Sequence, residues 1–374
     1  MDKKVEELLT RGVSEVIERK HLEEKLLSGE KLRIKLGIDP TSSNIHIGRA
    51  VPLWKLRAFQ DLGHTAIFIV GDATGVVGDT SDKESERPML TEGQVKDNMK
   101  SYFDQAFKIL DPKKTETHYN SEWLLKLGFL ELGKMASLFG LHEFESREVI
   151  ARRLKAGQRI SSQELFYPLM QGYDSVAVKA NVELGGTDQR YNLLAGRRIQ
   201  PLYGQEPQDI LMTELIDGVD GRKMSSSWGN VINIVDMPTD MFGKVMSIKD
   251  DLVSKYFELC TQVPLAEAEE IIKGHPKEAK VRLAFEITKI YHGEDAAQKA
   301  QENFVETFSE GGVPKDIETV KVSKDTPLVE ILLKQGLVSS KTEFNRLSKA
   351  GAIKEIENGV YRIGKHRFLR IEIL

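Results

Sequence analysis

The segment from Asp39 to Arg49, DPTSSNIHIGR, holds side chains suited to binding a phosphorylated ligand. His46 and Arg49 supply N–H donors, and Gly48 would let a flat ring or a phosphate approach the main chain. A helix that begins here would add unpaired main-chain N–H groups and the positive end of its dipole. The alternative is an ordinary strand-to-helix turn capped by serine or threonine, and the segment alone leaves both interpretations open.

A second polar segment, Lys223-Met224-Ser225-Ser226-Ser227, combines one lysine with three hydroxyls and lies between glycines. Such a loop could close over a triphosphate and neutralise the charge that leaves with pyrophosphate. A solvated polar loop is the alternative. The two segments are more informative together, because they follow the first and the last strand of one predicted domain. Ligands of such domains bind outside the carboxyl ends of the strands.

The elements around the first segment have a βαβ pattern. Residues 31–40 alternate as a strand, residues 51–62 carry apolar side chains at helical spacing, and residues 64–72 form an apolar run typical of a buried strand. A right-handed crossover of this kind predicts a parallel sheet. Strand-like segments within 176–186 and 209–216 extend it, so the first ~230 residues are predicted to form an α/β domain.

The chain beyond residue 235 has a different pattern. Successive amphipathic helices are predicted between 236 and 312, and the Gly- and Pro-containing stretch 309–316 is predicted to be a linker. Two helices and two short strands are predicted within 325–374. At the other end, residues 1–20 have the pattern of one charged amphipathic helix.

Length and composition limit the classes of protein to which the chain can belong. A chain of 374 residues predicts two or three domains, and its single cysteine, Cys260, excludes an intrachain disulfide and disfavours a Cys-based zinc site. No apolar run reaches ~18 residues and no secretory signal begins the sequence, so we expect a cytoplasmic protein without a membrane span. The net charge of −4 disfavours a protein that coats nucleic acid, but it is compatible with local basic patches.

The two polar segments resemble the signatures HIGH and KMSKS of the class I aminoacyl-tRNA synthetases, which stand here as HIGR (46–49) and KMSSS (223–227). The stretch GDATGVVGDTSDKESER (71–87), with YPLMQGYD (167–174) and GGTDQ (185–189), is similar to the tyrosyl enzymes. The resemblance covers nearly the whole chain, including HPKEAKVRLAFEITKIYHG. It implies a Rossmann-like parallel-sheet catalytic domain over 1–235, a helical anticodon-binding domain over 236–315 and an α+β RNA-binding module over 325–374.

The resemblance also implies which residues bind tyrosine. Asp79, Tyr167 and Gln171 match the positions that hold the ammonium, and a carboxylate, a phenol and an amide supply the acceptors that an ammonium requires. Asp174 matches the position that accepts the proton of the tyrosine hydroxyl. Gln189 matches the position that contacts the region of the tyrosine carboxylate.

Further positions match those that bind ATP and act on its phosphates. The residues expected at ATP are Gly37, Asp39, Thr41, His46, Gly48, Asp188 (at the ribose), Lys223, Met224, Ser225, Ser226 and Ser227. The residues expected to be catalytic are His46, Arg49, Lys223, Lys83 and Arg87, with Mg²⁺ on the phosphates. The tyrosine carboxylate is already ionised near neutral pH, so the reaction needs positioning and charge stabilisation rather than a general base.

Three positions depart from the family pattern. The second His of HIGH is Arg49, the second Lys of KMSKS is Ser226, and a tyrosine that often precedes the GxDP turn is Lys35. Arg49 is expected to bond a phosphate directly and to replace some of the charge missing at Ser226. Lys35 is expected among the tyrosine-binding residues, with phenol recognition resting mainly on Asp174.

The last ~50 residues resemble the small RNA-binding module named after ribosomal small-subunit protein four. Lys341, Arg346 and Lys349 could line one helix face and contact RNA, although a solvated basic helix is the alternative. In the family this module binds the long variable arm of tyrosine tRNA. The resemblance also implies a homodimer, with one tRNA reaching across both subunits.

Two rival functions remain open on the sequence. A tryptophanyl-tRNA synthetase shares the fold and a GxDQ element, and an indole N–H is a donor to Asp174 just as a phenol O–H is. A non-catalytic RNA-binding protein that kept a synthetase fold is favoured only by the departures at Arg49 and Ser226. The residues of the sequence motifs and the resemblance of the last ~50 residues to an RNA-binding module favour tyrosine–tRNA ligation with ATP as a substrate.

Overall fold

The computed structural model of the chain describes residues 3–79, 89–309, 317–323, 326–357, 359–364 and 367–373. The chain divides into two compact units. Unit 1 runs to Gly218 and includes Arg222–Val235 and Glu258–Cys260, whereas unit 2 contains Val219–Gly221, Asp236–Phe257 and the chain from Thr261 onward. Among the described residues, no helix is long and apolar enough to cross a membrane.

Unit 1 is built on a six-stranded sheet. Its strands are β1 (Val13–Ile17), β2 (Arg33–Ile38), β3 (Thr65–Val70), β4 (Thr115–Tyr119), β5 (Val182–Gly186) and β6 (Asp209–Thr213). Their order is β1-β6-β5-β2-β3-β4, and β2 to β6 are mutually parallel while β1 pairs antiparallel with β6. The chain leaves β2 toward β3 on one side and returns to β5 on the other. The carboxyl end of β2 is therefore the switch point at which ligands of open α/β sheets bind.

Helices connect and cover the strands of this sheet. They are α1 (Lys3–Thr10), α2 (Arg19–Leu27), α3 (Ile47–Asp61), α4 (Asp72–Val77), α5 (Glu92–Met99), α6 (Tyr102–Ala106), α7 (Ser121–Leu124), α8 (Phe129–Ala136), α9 (Leu141–Glu145), α10 (Glu148–Lys155), α11 (Gln163–Ala177) and α12 (Arg190–Ile199). Helix α3 forms where the apolar spacing predicts it, and buries Val51, Leu53, Leu56 and Phe59. The central strands β2 and β3 are almost fully buried, as their apolar patterns predict.

The expectation of one helix over residues 1–20 is wrong. Helix α1 ends at Thr10, and Gly12 has a left-handed φ of 62° that no continuing helix could contain. A side chain at Gly12 would also meet Leu259, whose Cδ2 lies 2.5 Å from the Cβ position. Strand β1 then joins the sheet edge, so the N-terminal segment extends the parallel sheet by one antiparallel strand.

Unit 2 begins with helices and ends with a second sheet. The helices are α13 (Pro238–Met246), α14 (Val253–Cys260, whose last three residues fall in unit 1), α15 (Leu265–Lys273), α16 (Pro276–His292) and α17 (Glu294–Ser309). The C-terminal elements are β7 (Thr319–Val322), α18 (Leu328–Lys334), α19 (Lys341–Lys349), β8 (Ile353–Glu357), β9 (Val360–Ile363) and β10 (Arg367–Ile373). The predicted linker residues 310–316 lie outside the described residues.

The C-terminal elements share a small core of their own. Leu332, Val338, Ile363 and Leu369 are buried in it, between the two helices and a sheet of order β7-β10-β9-β8. Strand β7 pairs in parallel with β10 and contributes Val320 and Val322 to the core. Since β7 precedes residue 325, the sheet of this module begins earlier than the boundary that the sequence predicts.

Candidate active site

The carboxyl end of β2 places Gly37 and Asp39 at the switch point of the sheet. Gly37 lies in this buried strand and is nevertheless exposed, and a Cβ placed on it would meet nothing within 4 Å. Asp39 follows and ties three segments together: its Oδ1 accepts from Thr74 Oγ1 at 2.7 Å, and its Oδ2 accepts from Tyr167 Oη at 2.9 Å. Gly71 is required beside it, because a Cβ there would overlap Asp39 Oδ1.

Helix α3 starts near this end of β2 with His46 as its cap. The His46 Nδ1 accepts from the main-chain N–H of Arg49 at 3.3 Å, an arrangement that places the ring proton on Nε2. Burial, together with the charges of Arg49 and Lys223, lowers the pKa of His46 to about 3. His46 is therefore a neutral donor at the positive end of a helix. Gly48 is packed so closely that a Cβ would lie 3.0 Å from Ile216 Cγ2.

Arg49 is held by neutral hydroxyl groups on two neighbouring elements. Its Nη1 donates to Tyr102 Oη on α6 at 2.7 Å, and its Nη2 donates to Thr41 Oγ1 at 2.5 Å. The guanidinium therefore braces the turn between β2 and α3. A direct contact between Arg49 and a phosphate stays a prediction.

The KMSSS segment meets the first motif on the same side of the sheet. Ser226 Oγ lies 3.1 Å from Ser42 Oγ, so the position that departs from the family lysine bonds the turn before α3. Lys223 Nζ lies 2.9 Å from Asp188 Oδ2, which joins two residues expected at ATP. Met224 is buried and anchors the segment, whereas Ser225 and Ser227 bond each other through their hydroxyls at 2.9 Å. The two signatures are therefore brought together.

Helix α11 carries three of the residues expected at tyrosine, at positions that recur on one helix face. Tyr167 donates its hydroxyl proton to Asp39, which leaves oxygen lone pairs for an ammonium. Burial and the charge of Asp39 hold the pKa of Tyr167 well above its usual value. Asp79, expected as a third acceptor, takes a hydrogen bond from Gln189 Nε2 at 2.7 Å.

Asp174 is a buried carboxylate between two donors. Trp123 Nε1 donates to its Oδ1 at 2.8 Å, and Asn120 Nδ2 donates to its Oδ2 at 3.2 Å. Burial raises the pKa of Asp174 to about 7, against the lowering effect of the Lys35 charge and of these two hydrogen bonds. Each oxygen of a carboxylate has two lone pairs, so capacity remains for a substrate hydroxyl.

The expected contact between Lys35 and tyrosine stays a prediction, and the surroundings of Lys35 do not favour it. Lys35 is fully buried, and its Nζ donates to Gln171 O at 2.8 Å, to Ser175 Oγ at 2.8 Å and to Glu183 Oε1 at 2.8 Å. An ammonium has three protons, so these bonds use every donor. Lys35 therefore has no proton left for a further partner, and it lies next to Gln171 and Ser175 of α11.

Other expected residues lie elsewhere or outside the described part of the chain. Lys83 and Arg87 fall within residues 80–88, which are outside the described residues. Lys341, Arg346 and Lys349 are all exposed on α19, in unit 2. Their contact with RNA stays a prediction.

Several residues of the site have no motif that could reveal them. Trp123 and Asn120 belong to the segment around α7, 51 and 54 residues before Asp174. Glu183 and Tyr102 likewise become partners of Lys35 and Arg49 only in the folded chain. The one available signal was a buried-strand pattern at 182–186 that contains a charged residue, because such a residue needs a partner of opposite charge.

Comparison with known proteins agrees with this geometry. Residues 27–309 match the family of tRNA synthetases class I (W and Y). The tyrosine–tRNA ligase of Thermotoga maritima is 43% identical over 97% of this chain and 96% of its own, and that of Nitratidesulfovibrio vulgaris is 44% identical over 98% of each.

Solved structures share the fold at lower identity. A C-terminally truncated mitochondrial tyrosyl-tRNA synthetase of Aspergillus nidulans is 22% identical, with a TM-score of 0.68 over 82% of this chain and 95% of its own. The tyrosyl-tRNA synthetase of Archaeoglobus fulgidus complexed with L-tyrosine is also 22% identical, with a TM-score of 0.64 over 80% of this chain and 100% of its own. The chain therefore belongs to the class I tRNA synthetases (W and Y), within the group of the tyrosine–tRNA ligases.

Proposed function

We propose that this chain selects tyrosine at Asp174 and activates it between the HIGR and KMSSS segments. The single observation that carries the proposal is the junction at the switch point, where Ser42 meets Ser226 and Lys223 meets Asp188. Asp174 accepts the phenol proton in this scheme. Asp79, Tyr167 and Gln171 accept from the ammonium, and Gln189 acts near the tyrosine carboxylate.

The activation step joins tyrosine to the α-phosphate of ATP. An oxygen of the tyrosine carboxylate attacks the α-phosphorus, the bond to the bridging oxygen breaks, and pyrophosphate leaves. His46 donates to the phosphates as a neutral ring, while Lys223 and Arg49 stabilise negative charge. Gly37 leaves space for the adenylate, Asp188 holds the ribose, and Lys83 and Arg87 are assigned to pyrophosphate by resemblance alone. Mg²⁺ is expected to arrive on the phosphate oxygens of ATP as part of that substrate.

The second step moves tyrosine to RNA. A ribose hydroxyl at the 3′ end of the tRNA attacks the tyrosyl adenylate, and AMP leaves. We assign the helices α13–α17 to the anticodon region. We assign the C-terminal module to the variable arm, which Lys341, Arg346 and Lys349 contact from the exposed face of α19. A cytoplasmic location is part of this proposal.

A homodimer is the assembly that the surface of unit 1 favours. Leu125, Phe129, Leu130 and Leu141 are 79%, 87%, 79% and 61% exposed, and they lie in one stretch of chain on α8 and its neighbours. Apolar side chains concentrated in this way mark a protein interface. A second copy that covers them would give one tRNA access to both subunits.

The dimer can be tested by sedimentation equilibrium. A Phe129→Asp, Leu130→Asp variant is expected to sediment as a monomer, since it would bury two carboxylates in the interface. Leu202→Asp, a change at a surface leucine that is 42% exposed, is the control. A dimeric double variant, or a monomeric wild type, would reject this surface as the interface.

ATP–pyrophosphate exchange with each of the twenty amino acids tests the function. Tyrosine should support exchange, and phenylalanine should be at least about 1,000-fold weaker. Sites that bond a hydroxyl reject the analogue lacking it by about 10⁴–10⁵, a magnitude known from tyrosyl-tRNA synthetases themselves rather than calculated for this chain. Asp174→Ala should erase much of the preference. Equal exchange with tryptophan would reject tyrosine as the substrate, and absence of exchange would favour the non-catalytic alternative.

A further inference from the structure

The buried ion pair between Lys35 and Glu183 contacts Gln171, one of the residues proposed to bind the tyrosine ammonium. Lys35 and Glu183 are register partners on the parallel strands β2 and β5, and their side chains are 0% and 1% exposed. A buried pair of charges contributes little net stability in general, because desolvation offsets the attraction. Its position therefore calls for an explanation other than stability.

The contacts of Glu183 bear directly on Gln171. Glu183 Oε1 accepts from Lys35 Nζ and also from Gln171 Nε2 at 3.0 Å. Its Oε2 accepts from Ser175 Oγ at 3.1 Å and from Gln208 Nε2. All four partners are donors, as an ionised carboxylate requires, because it has no proton to give.

This chemistry decides which way the amide of Gln171 faces. The two ends of a glutamine amide are similar in shape, so only its hydrogen-bond partners set its orientation. An ionised Glu183 accepts from the NH₂ end and repels the carbonyl end. Lys35 donates to Glu183 Oε1 and also fixes the main chain of Gln171 through its carbonyl oxygen. The carbonyl oxygen of the side chain is then left for the substrate.

We propose that the Lys35–Glu183 pair is a positioning device for amino-acid recognition: it holds the Gln171 amide with its carbonyl oxygen available to the tyrosine ammonium. Lys35 and Glu183 do not touch the substrate in this scheme. They act through Gln171. Ser175, which lies one turn after Gln171 on α11, accepts a hydrogen bond from Lys35 and donates one to Glu183. The inference rests on the proposed function, since it concerns how the same pocket distinguishes an amino acid from an acid without an amine.

The test replaces both charges at once with Lys35→Met, Glu183→Gln, because either single change would leave a buried charge without its partner. The glutamine introduced by Glu183→Gln can pair with the Gln171 amide in either orientation, so that amide is no longer fixed. The KM for tyrosine in ATP–pyrophosphate exchange should rise about 10- to 100-fold, the value of one hydrogen bond to a charged group. The KM for ATP should change less than about twofold.

The decisive measurement is the inhibition constant Ki of 3-(4-hydroxyphenyl)propionate, a competitive inhibitor that is tyrosine without its amine. The analogue has no ammonium for Gln171 to bind, so it should not lose that contact in the double variant. The loss of the two charges also acts on the pKa of Asp174, which Lys35 lowers and Glu183 raises, but this effect applies to both ligands because both carry the phenol. The advantage of tyrosine over this analogue should therefore fall about tenfold or more. A merely structural role for the pair would weaken both ligands together.

A matched control removes another buried ion pair, which joins α10 to the start of α11. Arg153→Met, Glu164→Gln eliminates a pair with both side chains 1% exposed, at the start of α11 and away from Gln171. This control should leave the ratio between tyrosine and the analogue at its wild-type value. The proposal is overturned by a folded Lys35→Met, Glu183→Gln variant with an unchanged ratio, or by the same selective loss in the control.

If the double variant does not fold, a second measurement tests the proposed positioning of Gln171. In a crystal structure of the wild type with tyrosine, the Gln171 amide should lie within about 3.2 Å of both the ammonium nitrogen and a Glu183 oxygen. An amide that contacts only one of them would overturn the proposal. The proposed function fails separately, through a wild-type enzyme that shows no tyrosine-dependent exchange.

Discussion

Asp174 has to remain charged in a place where burial opposes charge. Trp123 and Asn120 donate to its two oxygens and Lys35 adds a positive charge from below, yet burial still raises its pKa to about 7. A carboxylate kept in this state bonds a phenol O–H more strongly than a solvated one would. In the proposed scheme, selectivity for the substrate hydroxyl therefore costs folding stability at this residue.

The cost can be measured as a pH dependence of stability. The pKa of Asp174 rises from 3.8 in the unfolded chain to about 7 in the folded one, so the folded state binds the extra proton between these values. Folding is then favoured at low pH, and this contribution is lost as pH rises from about 4 to about 7. We expect Asp174→Asn, which cannot titrate, to gain stability relative to the wild type across that window.

Urea unfolding at several pH values checks this expectation. The difference in the free energy of unfolding between Asp174→Asn and the wild type should grow by about 1.4 kcal/mol per pH unit, to a maximum of about 4 kcal/mol. The altered contact with Asn120 adds a constant offset that does not depend on pH. A difference that is flat from pH 4 to 7 would contradict the prediction.

At the scale of elements, the turn from β2 into α3 depends on Arg49. Its guanidinium bonds Thr41 in the turn and Tyr102 on α6, close to the neutral His46 at the start of the helix. Two roles are compatible with these contacts. Arg49 either shifts to bond a phosphate when ATP is present, or shapes the turn that receives it. Both roles belong to the phosphate side of the reaction.

We expect Arg49→Ala to lower the rate of adenylate formation about 10²–10³-fold, the usual cost of losing one preorganised donor. Tyrosine affinity measured without ATP should barely change. Pre-steady-state adenylate formation is the measurement, and Tyr102→Phe is the matched variant, because it removes one contact of Arg49 and keeps the guanidinium. A large loss in both variants indicates a shaping role. A rate within about threefold of wild type in Arg49→Ala would show that His46 and Lys223 carry the phosphate chemistry.

Periodicity predicts some of these elements and misses others for physical reasons. Strands β2 and β3 and helix α3 are buried, so their apolar patterns are strong. Strand β4 reads TETHY and is an edge strand with no fully buried residue, and nothing in its pattern distinguishes it from a loop. Strand β1 likewise continues a charged helical pattern, and only the conformation at Gly12 separates them.

The residues of the candidate site likewise fall into those that the sequence predicts and those that it misses. Motif residues such as His46 and Lys223 could be predicted because their spacing along the chain is itself the signal. The ion pair beside Gln171 could not, because Lys35 and Glu183 lie 148 positions apart and meet only through the pairing of β2 with β5. Supporting contacts of this kind belong to the fold and not to any local pattern.

At the scale of the whole molecule, charge is distributed unevenly between the C-terminal module and the rest of the chain. Residues 317–374 contain 11 lysines and arginines against seven acidic residues, a net charge of +4, while the whole chain is at −4. A basic module on an acidic protein confines attraction for phosphates to one part of the surface. This module has its own core around Leu332 and Leu369.

A chain that ends at Ser309 should therefore still form tyrosyl adenylate and charge tRNA poorly. This end point removes β7 together with its partner β10, whereas an end near Asp325 would leave β7 exposed without its neighbour. Exchange activity should stay within about threefold of wild type, because the residues assigned to activation all lie in unit 1. Full charging by the shortened chain would show that the module has no role in tRNA binding.

A triple variant separates RNA contact from any structural effect of the truncation. It combines Lys341→Ala, Arg346→Ala and Lys349→Ala. The three side chains are exposed on α19, while Leu347 of the same helix packs in the module core, so the triple variant should keep its fold. Each phosphate contact releases counterions on binding, and kcat/KM for tRNA should fall with rising salt in the wild type. Losing three contacts should weaken binding at low salt and make the slope of log kcat/KM against log salt shallower by about 1 per contact. An unchanged slope would show that these three side chains do not contact tRNA phosphates. Any tRNA contact of the module would then have to lie on its other surfaces.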